Sequence, residues 1–361
     1  MRAALDLLDE LLERRFEAGE RYFTSEAGRL AELCRTMAER FERGGRLLAV
    51  GGSPQEWSDA RHVAVEFVHP VIVGKRALPA MAVAAGAVEL LAREDDMVIS
   101  FEPLTVRAGE EWLLEPLDHD PFVRQELAET AYHCLWELVH VFFDHLGGSS
   151  AGAGASGFLY PFLGSPSGDL SAVVDDVRAS VELKAAEIAE LRKRTLVGNR
   201  GEIVEAAETL RRAFDNGGTL LAFGNGGSAT DAMDVVADFR SAPQGWAHRR
   251  ALDLTDDPAI LTAVANDIGP AALYSRQVIA YGRPGDVALA LSTSGSSANI
   301  IDALAEARRR GLATIACVGY DGGRIAAERL ADHVVVTPSE HIPRIQEAQA
   351  TAYHALRELV G

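Results

Sequence analysis

The stretch "GGTLLAFGNGGSATDAMDVVADF", residues 217–239, carries three conformational signals in a row. A glycine turn leads into a short apolar run of the length of a buried strand. A glycine-rich loop follows, and then an amphipathic segment with helical spacing. The same order stands earlier in the chain. "GGRLLAVG" (44–51) matches "GGTLLAFG" (217–224), and "DARHVAVEF" (59–67) matches "DAMDVVADF" (231–239). A third echo closes each copy: "RQELAETAYHCLWELV" (124–139) against "IQEAQATAYHALRELV" (345–360), with Gln125 opposite Gln346 and "TAYH" opposite "TAYH". Three echoes in one order mean duplication.

The copies are unequal. Gly224 follows Gly51 by 173 residues, whereas Gln346 follows Gln125 by 221. About one helix–strand unit is therefore missing from the first copy. The second fills that place with residues 292–325, whereas the first passes from "DDMVISFEPL" (95–104) to "EEWLLEPLDHDPFVRQE" (110–126), a segment like "DHVVVTPSEHIPRIQE" (332–347). "GGSSAGAGASG" (147–157) has a linker's composition, and a long helix is expected from about Leu170. The expected division is a shortened domain over 1–146, a linker over 147–169 and a complete domain over 170–361. Alternating helices and short apolar strands predict an α/β fold with a mainly parallel sheet flanked by helices, duplicated in tandem.

Composition narrows the function. The 361 residues carry a net charge of −18, which argues against a nucleic-acid partner needing surplus Lys and Arg. The short runs "RKR" (192–194) and "RRR" (308–310) lie in helical patterns and read as solvated faces. Cys34, Cys134 and Cys317 form neither a CxxC motif nor an even framework, which predicts reduced thiols and a cytoplasmic location. No export segment or membrane span is visible, and the N-terminus reads as an amphipathic, charge-laced helix.

Two loops are suited to an anion. In "LLAFGNGGSATDAM" the glycines lie between a strand and a helix, so backbone N–H groups, the helix N-terminus and Ser228 can converge on a phosphate. Alone this is weak, because Gly224-x-Gly226-x-x-Ala229 also approximates a dinucleotide fingerprint. "VALALSTSGSSANI" (287–300) runs a second apolar strand into Ser292, Thr293, Ser294, Gly295, Ser296 and Ser297. A helix cap explains one of those hydroxyls but not the run. A dinucleotide site would call for an acid ending the next strand and gives the serine run no role, so no nucleotide cofactor is expected.

"GNGGSATDAM", "ANDIG", "STSGSSANIIDAL", "GYDGGRIA" and "RIQEAQATAYH", five motifs in order across residues 191–361, resemble the sugar isomerase (SIS) fold, and specifically phosphoheptose isomerase. The first copy resembles a truncated SIS domain more weakly. The resemblance implies a three-layer SIS fold and a phosphorylated sugar as ligand. By motif it assigns substrate and phosphate contacts to Asn225, Gly226, Gly227, Ser228, Asn266, Asp267, Ser292, Thr293, Ser294 and Ser297. It also implies a divalent metal, zinc in the family, held by a His and a Glu four apart on the first helix and by the Gln and His of the final helix. The Glu and the final His are the family's catalytic pair. Positions i and i+4 share a helix face, so two ligands at that spacing can grip one ion.

The first copy supplies His62, Glu66, Gln125 and His133 at those places, and the second supplies Asp234, Asp238, Gln346 and His354. The two aspartates shift the second set toward Mg or Mn. The first copy reads "GGSPQEWS" (51–58) in place of "GNGGSAT", and Phe101, Glu102 and Pro103 follow its strand where the serine loop would stand. Residues eight apart span about 12 Å along a helix axis, so Gln and His of the final helix join one ion only at full stretch or with help from another helix. The tandem copies are expected to imitate a homodimer with composite sites, and a dimer of tandem chains to imitate an SIS tetramer. Tyr132 and Tyr353 are expected to be packing residues.

The expected activity is an aldose–ketose isomerisation, sedoheptulose 7-phosphate to a heptose 7-phosphate by way of an enediol. Glu66 or Asp238 would move the proton and His133 or His354 would be the acid. The alternative is a non-catalytic SIS module, a sugar-phosphate sensor or assembly partner.

Overall fold

The computed structural model describes residues 2–71, 75–104, 110–146 and 170–361, so the expected linker lies outside the described residues. The chain forms two compact units. The C-terminal unit comprises Met1–Arg15 and Ile188–Gly361, and the N-terminal unit comprises Phe16–Glu187.

The C-terminal unit contains the start of α1 (Arg2–Glu42), the end of α5 (Leu170–Gly198), and α6 (Arg200–Asp215). Then come β5 (Leu220–Gly224), α7 (Gly227–Arg240), β6 (Ala251–Asp253), α8 (Pro258–Asp267) and α9 (Ser275–Tyr281). It continues through β7 (Val287–Ser292), α10 (Ala298–Arg309), β8 (Ala313–Gly319), α11 (Gly323–Ala327), β9 (His333–Thr337) and α12 (Ile342–Val360). Its sheet runs β6-β5-β7-β8-β9, all parallel. The alternation of side chains along each strand feeds two cores. Leu220, Ala222, Leu289, Leu291, Ile315 and Cys317 enter one with α6, α7 and α12. Leu221, Phe223, Ala288, Ala290, Ala316 and Val318 enter the other with α9, α10 and α11. This is the three-layer arrangement expected from continuous apolar strands. The chain order reverses between the neighbouring strands β5 and β7, the switch point at which open parallel sheets place ligands.

The N-terminal unit contains β1 (Leu47–Val50), α2 (Pro54–Val68), β2 (Ala80–Val83), α3 (Val88–Leu91), β3 (Met97–Ser100), β4 (Glu110–Leu113) and α4 (Pro121–Leu146), with the adjoining parts of α1 and α5. Its parallel sheet has the order β2-β1-β3-β4, one strand fewer than the other. One face buries Leu47, Ala49, Met97 and Ile99 in a large core with α1, α2, α4 and α5. The other carries only a small cluster of Leu48, Val50, Val83, Val88 and Val98. The helix–strand unit missing from the sequence is the part that would have thickened that second layer.

A shared turn device marks the common descent of the two sheets. Asp96 accepts from Arg46 N at 2.9 Å and Arg93 N at 2.9 Å. Asp286 accepts from Thr219 N at 2.8 Å and Arg283 N at 2.9 Å. Each acid thereby ties the start of its own strand to the start of the neighbouring one.

The compact units depart from the expected division at 146 and 170. Leu8 and Leu11 of α1 are buried in the core of β5 and β7, and Arg15 pairs with Glu358 at 2.9 Å. Conversely Val173, Val177 and Val181 of α5 pack into the N-terminal unit. Long amphipathic helices can divide their apolar stripe between two cores, and composition gives no sign of it. No helix among the described residues is long and apolar enough to cross a membrane.

Removing a fully buried leucine costs about 2–5 kcal/mol. Leu11→Ala is accordingly expected to lower the urea stability of the C-terminal unit by that order. A change within about 0.5 kcal/mol, typical of surface sites, would remove residues 1–15 from that core.

Candidate active site

The glycine and serine loops leave adjacent strands, β5 and β7, whose register sets Gly224 beside Leu291. Gly224 is required by close approach: a Cβ there would run into the Ser228 backbone. Gly295 has φ +59°, and a Cβ there would strike Gly322 O. Helix α7 starts at Gly227 behind an N-cap, Gly226, that makes no side-chain cap bond. Helix α10 starts behind Ser297, whose hydroxyl also makes none. Two helix starts therefore present N–H groups beside hydroxyls at one edge of the sheet.

Within the serine loop, Gly295 N donates to Ser292 Oγ at 3.1 Å and Ser296 N to Ser294 Oγ at 3.3 Å. The loops are also tied together. Asn225 Nδ2 donates to Asn299 Oδ1 at 3.0 Å, and Asn299 Nδ2 donates back to Asn225 Oδ1 at 2.8 Å. Helix α12 reaches the same loop, since Gln349 Nε2 donates to Ser292 O at 3.4 Å.

Further along α7, Asp234 and Asp238 face His354 of α12. His354 Nε2 lies 3.4 Å from Asp234 Oδ2 and 3.3 Å from Asp238 Oδ2, all three residues being buried. Tyr353 OH donates to Asp234 Oδ2 at 2.9 Å and so orients that carboxylate. Arg357, one turn on, donates from Nε to Asp238 O at 3.1 Å.

The N-terminal unit builds the counterpart from α2 and α4. His62 Nε2 lies 3.3 Å from His133 Nε2 and 3.9 Å from Glu66 Oε1. Burial pushes the Glu66 carboxyl up to about 7, and burial with the nearby His133 holds His62 well below the usual imidazole range.

Both triads could hold a metal ion, their ligand atoms lying within 4.8 Å of one another. Two ligands of one tetrahedral zinc ion stand about 3.3 Å apart, close to the His354 distances and to the His62–His133 distance. Glu66 Oε2 is buried with no hydrogen-bond partner among the described residues, which leaves it available to an ion. The residues present fit a divalent metal.

The remaining expected residues distribute as follows. Gln125 Nε2 donates to Asp59 Oδ1 at 3.0 Å, while Gln125 Oε1 is buried and accepts no hydrogen bond in the structure. Gln346 is buried two turns before His354 on α12. Asn266 and Asp267 are exposed at the end of α8 and bond to each other at 2.7 Å. Strand β6 does end in the acid that a dinucleotide site would call for, Asp253, but Thr255 N at 2.7 Å and Thr255 Oγ1 at 2.6 Å already occupy it.

Asn299 was not among the expected residues; its only trace in sequence is an amide directly after the serine run. The tyrosines were expected to pack and are buried, yet Tyr353 also binds Asp234 and Tyr132 OH donates to Asp59 Oδ1 at 3.2 Å.

A profile of the SIS domain matches residues 185–319. A phosphoheptose isomerase of Roseiflexus sp. (strain RS-1) is 41% identical over 192 residues, 52% of this chain and 91% of that protein. The chain belongs to the phosphoheptose isomerase family of SIS domain proteins. A second such isomerase, from Chlorobium phaeobacteroides, is 41% identical over 197 residues, 53% of this chain and 86% of that protein. The C-terminal domain of glucosamine-fructose-6-phosphate aminotransferase from Francisella tularensis has a TM-score of 0.58 at 10% identity, covering 97% of this chain and 95% of that one. This last likeness shows the fold, and it extends over both SIS-like units.

The Glu66 cluster makes proton release a readout of metal binding. Below about pH 7 the Glu66 carboxyl is protonated and must lose its proton to become a ligand, whereas His62 is already neutral. Calorimetric titration of chelator-stripped protein with Zn(II) should release about one more proton per ion at pH 6 than at pH 8.5. That excess should fall by about one proton in Glu66→Gln; an excess unchanged by the substitution would show that Glu66 is not a ligand. Asn299→Ala, which removes the tie between the loops, should raise KM by up to about thirtyfold with kcat little changed, since two hydrogen bonds at ~1 kcal/mol each are lost. An unchanged KM would assign the amide pair no part in binding.

Proposed function

We propose that the chain is a phosphosugar aldose–ketose isomerase that interconverts sedoheptulose 7-phosphate and the corresponding heptose 7-phosphate. The carrying observation is that α7 bears both halves of such a site. Its N-terminus opens at the glycine loop beside the serine loop, and its buried face sets Asp238 and Asp234 against His354. The relatives that match at about 40% identity are named phosphoheptose isomerases, which favours an enzyme over a sensor or assembly module.

The phosphate is held by Gly226, Gly227, Ser228, Ser292, Thr293, Ser294 and Ser297, with Asn225 fixed by Asn299 and with Asn266 and Asp267 toward the sugar. The loops themselves carry no Lys or Arg, so neutral N–H and O–H donors do the binding. Holding the remote phosphate fixes the reacting carbons over the carboxylate. Asp238 takes the proton from the carbon beside the carbonyl and returns it to the neighbouring carbon. His354 gives a proton to the carbonyl oxygen and recovers one from the adjacent hydroxyl, so the enediol forms and collapses with no net change in protons. A divalent ion held by Asp234, Asp238 and His354, with Gln346 on the same helix, would supply polarisation of the sugar oxygens.

The His62, Glu66 and His133 cluster, with Gln125, has the nitrogen-rich donor set of a zinc site. The Asp234 cluster has the oxygen-rich set that favours Mg or Mn. A cytoplasmic location agrees with Cys34, Cys134 and Cys317, which are buried and in no disulfide among the described residues. Self-association, read by sedimentation, would cover the exposed apolar Ile268, Ile279 and Tyr281.

A turnover assay with sedoheptulose 7-phosphate on metal-loaded protein tests the reading. Asp238→Asn should lower kcat by about 10²–10⁴, and Ser294→Ala should weaken phosphosugar binding. Wild-type protein that binds metal and phosphosugar without turnover would decide for the sensor. In parallel, Glu66→Gln at full activity would confine the chemistry to the Asp238 cluster, and loss of turnover would bring Glu66 into it.

A further inference from the structure

The two glycine turns differ in what their amides meet. In the N-terminal unit Ser53 caps α2 in a closed capping box. Glu56 N donates to Ser53 Oγ at 3.2 Å, and Glu56 Oε2 accepts from Gly52 N at 2.9 Å and Ser53 N at 2.7 Å. The N–H groups that a helix start would offer an anion are thus already bound to the helix's own first turn. In the C-terminal unit the counterpart of Ser53 is Gly226, which has no side chain; Ala229 N, the counterpart of Glu56 N, donates to Gly226 O at 2.9 Å, and Ala229 has no carboxylate to reach back to the Asn225 and Gly226 amides.

A second carboxylate stands on the same turn. Strand register pairs Val50 with Ser100 as it pairs Phe223 with Ala290, so Glu102 occupies the place held by Ser292 in the serine loop. A Cβ on Gly52 would run into the Glu102 carboxylate, so the acid lies directly against the glycine turn. The segment that carries it is pinned by Glu111 of β4, whose Oε1 accepts from Ser100 Oγ at 2.9 Å and Leu104 N at 2.8 Å. Residues 51–58 and 100–104 include no Lys or Arg to offset the two acids.

We propose that the chain carries one phosphosugar pocket, in the C-terminal unit, because the matching cradle of the N-terminal unit is filled by the chain's own Glu56 and Glu102 carboxylates. The assignment of the occupied pocket rests on the isomerase reading above; the closed state of the other cradle stands on its own geometry. A phosphate entering that cradle would have to displace Glu56 from two N–H groups and lie against Glu102, with like charges opposing it at short range. The His62, Glu66 and His133 cluster lies further along α2 and is untouched by this closure. The N-terminal unit therefore keeps a metal-ligand set without a phosphate cradle of its own.

The test is amide-resolved NMR on the full chain, titrated with inorganic phosphate and with sedoheptulose 7-phosphate, alongside calorimetric stoichiometry. One phosphosugar should bind per chain, with the Gly226, Gly227 and Gly295 amides shifting and those of Gly52 and Ser53 unmoved. Two equivalents, or Gly52 and Ser53 shifting with the same saturation, would overturn the proposal. In the double variant Glu56→Ala, Glu102→Ser the Gly52 and Ser53 amides should acquire a response to inorganic phosphate. If the folded variant stays silent, carboxylate filling is not what closes the cradle, and the proposal falls. Should wild-type protein bind no phosphosugar at Gly226, the isomerase reading fails separately, while a gain of response in the double variant would still uphold the filled cradle.

Discussion

The register of β7 between β5 and β8 is the constraint on which the rest of the C-terminal unit depends. Its side chains alternate between two fully apolar cores, Val287, Leu289 and Leu291 on one face, Ala288 and Ala290 on the other. A slip of one residue would exchange the large side chains for the small ones and overfill the core that now receives the alanines. With register fixed, the strand ends at Ser292, one residue past the Leu291 that pairs with Gly224. The serine run then lies against the turn at Gly322, and the Asn225–Asn299 pair ties the helix that follows it to the glycine loop. The arrangement of hydroxyls and amides at this edge is a consequence of packing some distance beneath it.

The same packing logic explains what each copy could lose. The Asp96 and Asp286 turns, which order the strand starts, persist in both units. A contact beside the metal-ligand clusters persists with its partners exchanged. In the C-terminal unit Arg357 of α12 lies 4.7 Å from the Trp246 ring and 5.0 Å from the Phe239 ring. By the helical repeat Arg357 corresponds to Trp136 of α4, and there the aromatic belongs to the helix while Lys75 of the following connection lies 5.7 Å from its ring. Lys75 Nζ also donates to Glu137 O. Either arrangement ties the connection after the first site helix to the final helix by one cation–π contact. Conservation of that contact with reversed partners points to a positional requirement: the final helix must stay close enough to present its histidine.

Sequence showed this architecture where signals were local. Strand runs, the glycine and serine loops, the missing helix–strand unit and the start of α5 at Leu170 were readable because each depends on a contiguous pattern. Contacts that depend on two distant segments arriving together were not readable. Asn299 looks like any helix-start amide until the strand register brings Asn225 to it. Tyr353 reads as core because its ring is core; only its hydroxyl, meeting Asp234 across two helices, is part of the site. The division of α1 and α5 between two cores was hidden for the same reason, since an apolar stripe does not say which core it faces. Glu102 was visible as a lost serine loop, but its carboxylate as an occupant of the glycine turn was not.

The two triads follow different electrostatic solutions to burial. Around Glu66 the structure lowers cost by neutrality: the carboxyl is pushed up to about 7 and His62 is held in its uncharged form. Such a cluster tolerates being empty, and it exchanges a proton for an ion on loading. Around His354 two carboxylates converge on one imidazole, and hydrogen bonding does more of the work, with Tyr353 on Asp234 and Arg357 on the Asp238 main chain. Asp in place of Glu shortens the reach by one methylene, yet an oxygen of each Asp stands within 3.4 Å of the His354 nitrogen. The shorter acid still converges with its partners on this face of α12. The change from Glu to Asp in this copy is therefore compatible with an intact site, since the three ligand atoms still lie within 4.8 Å of one another.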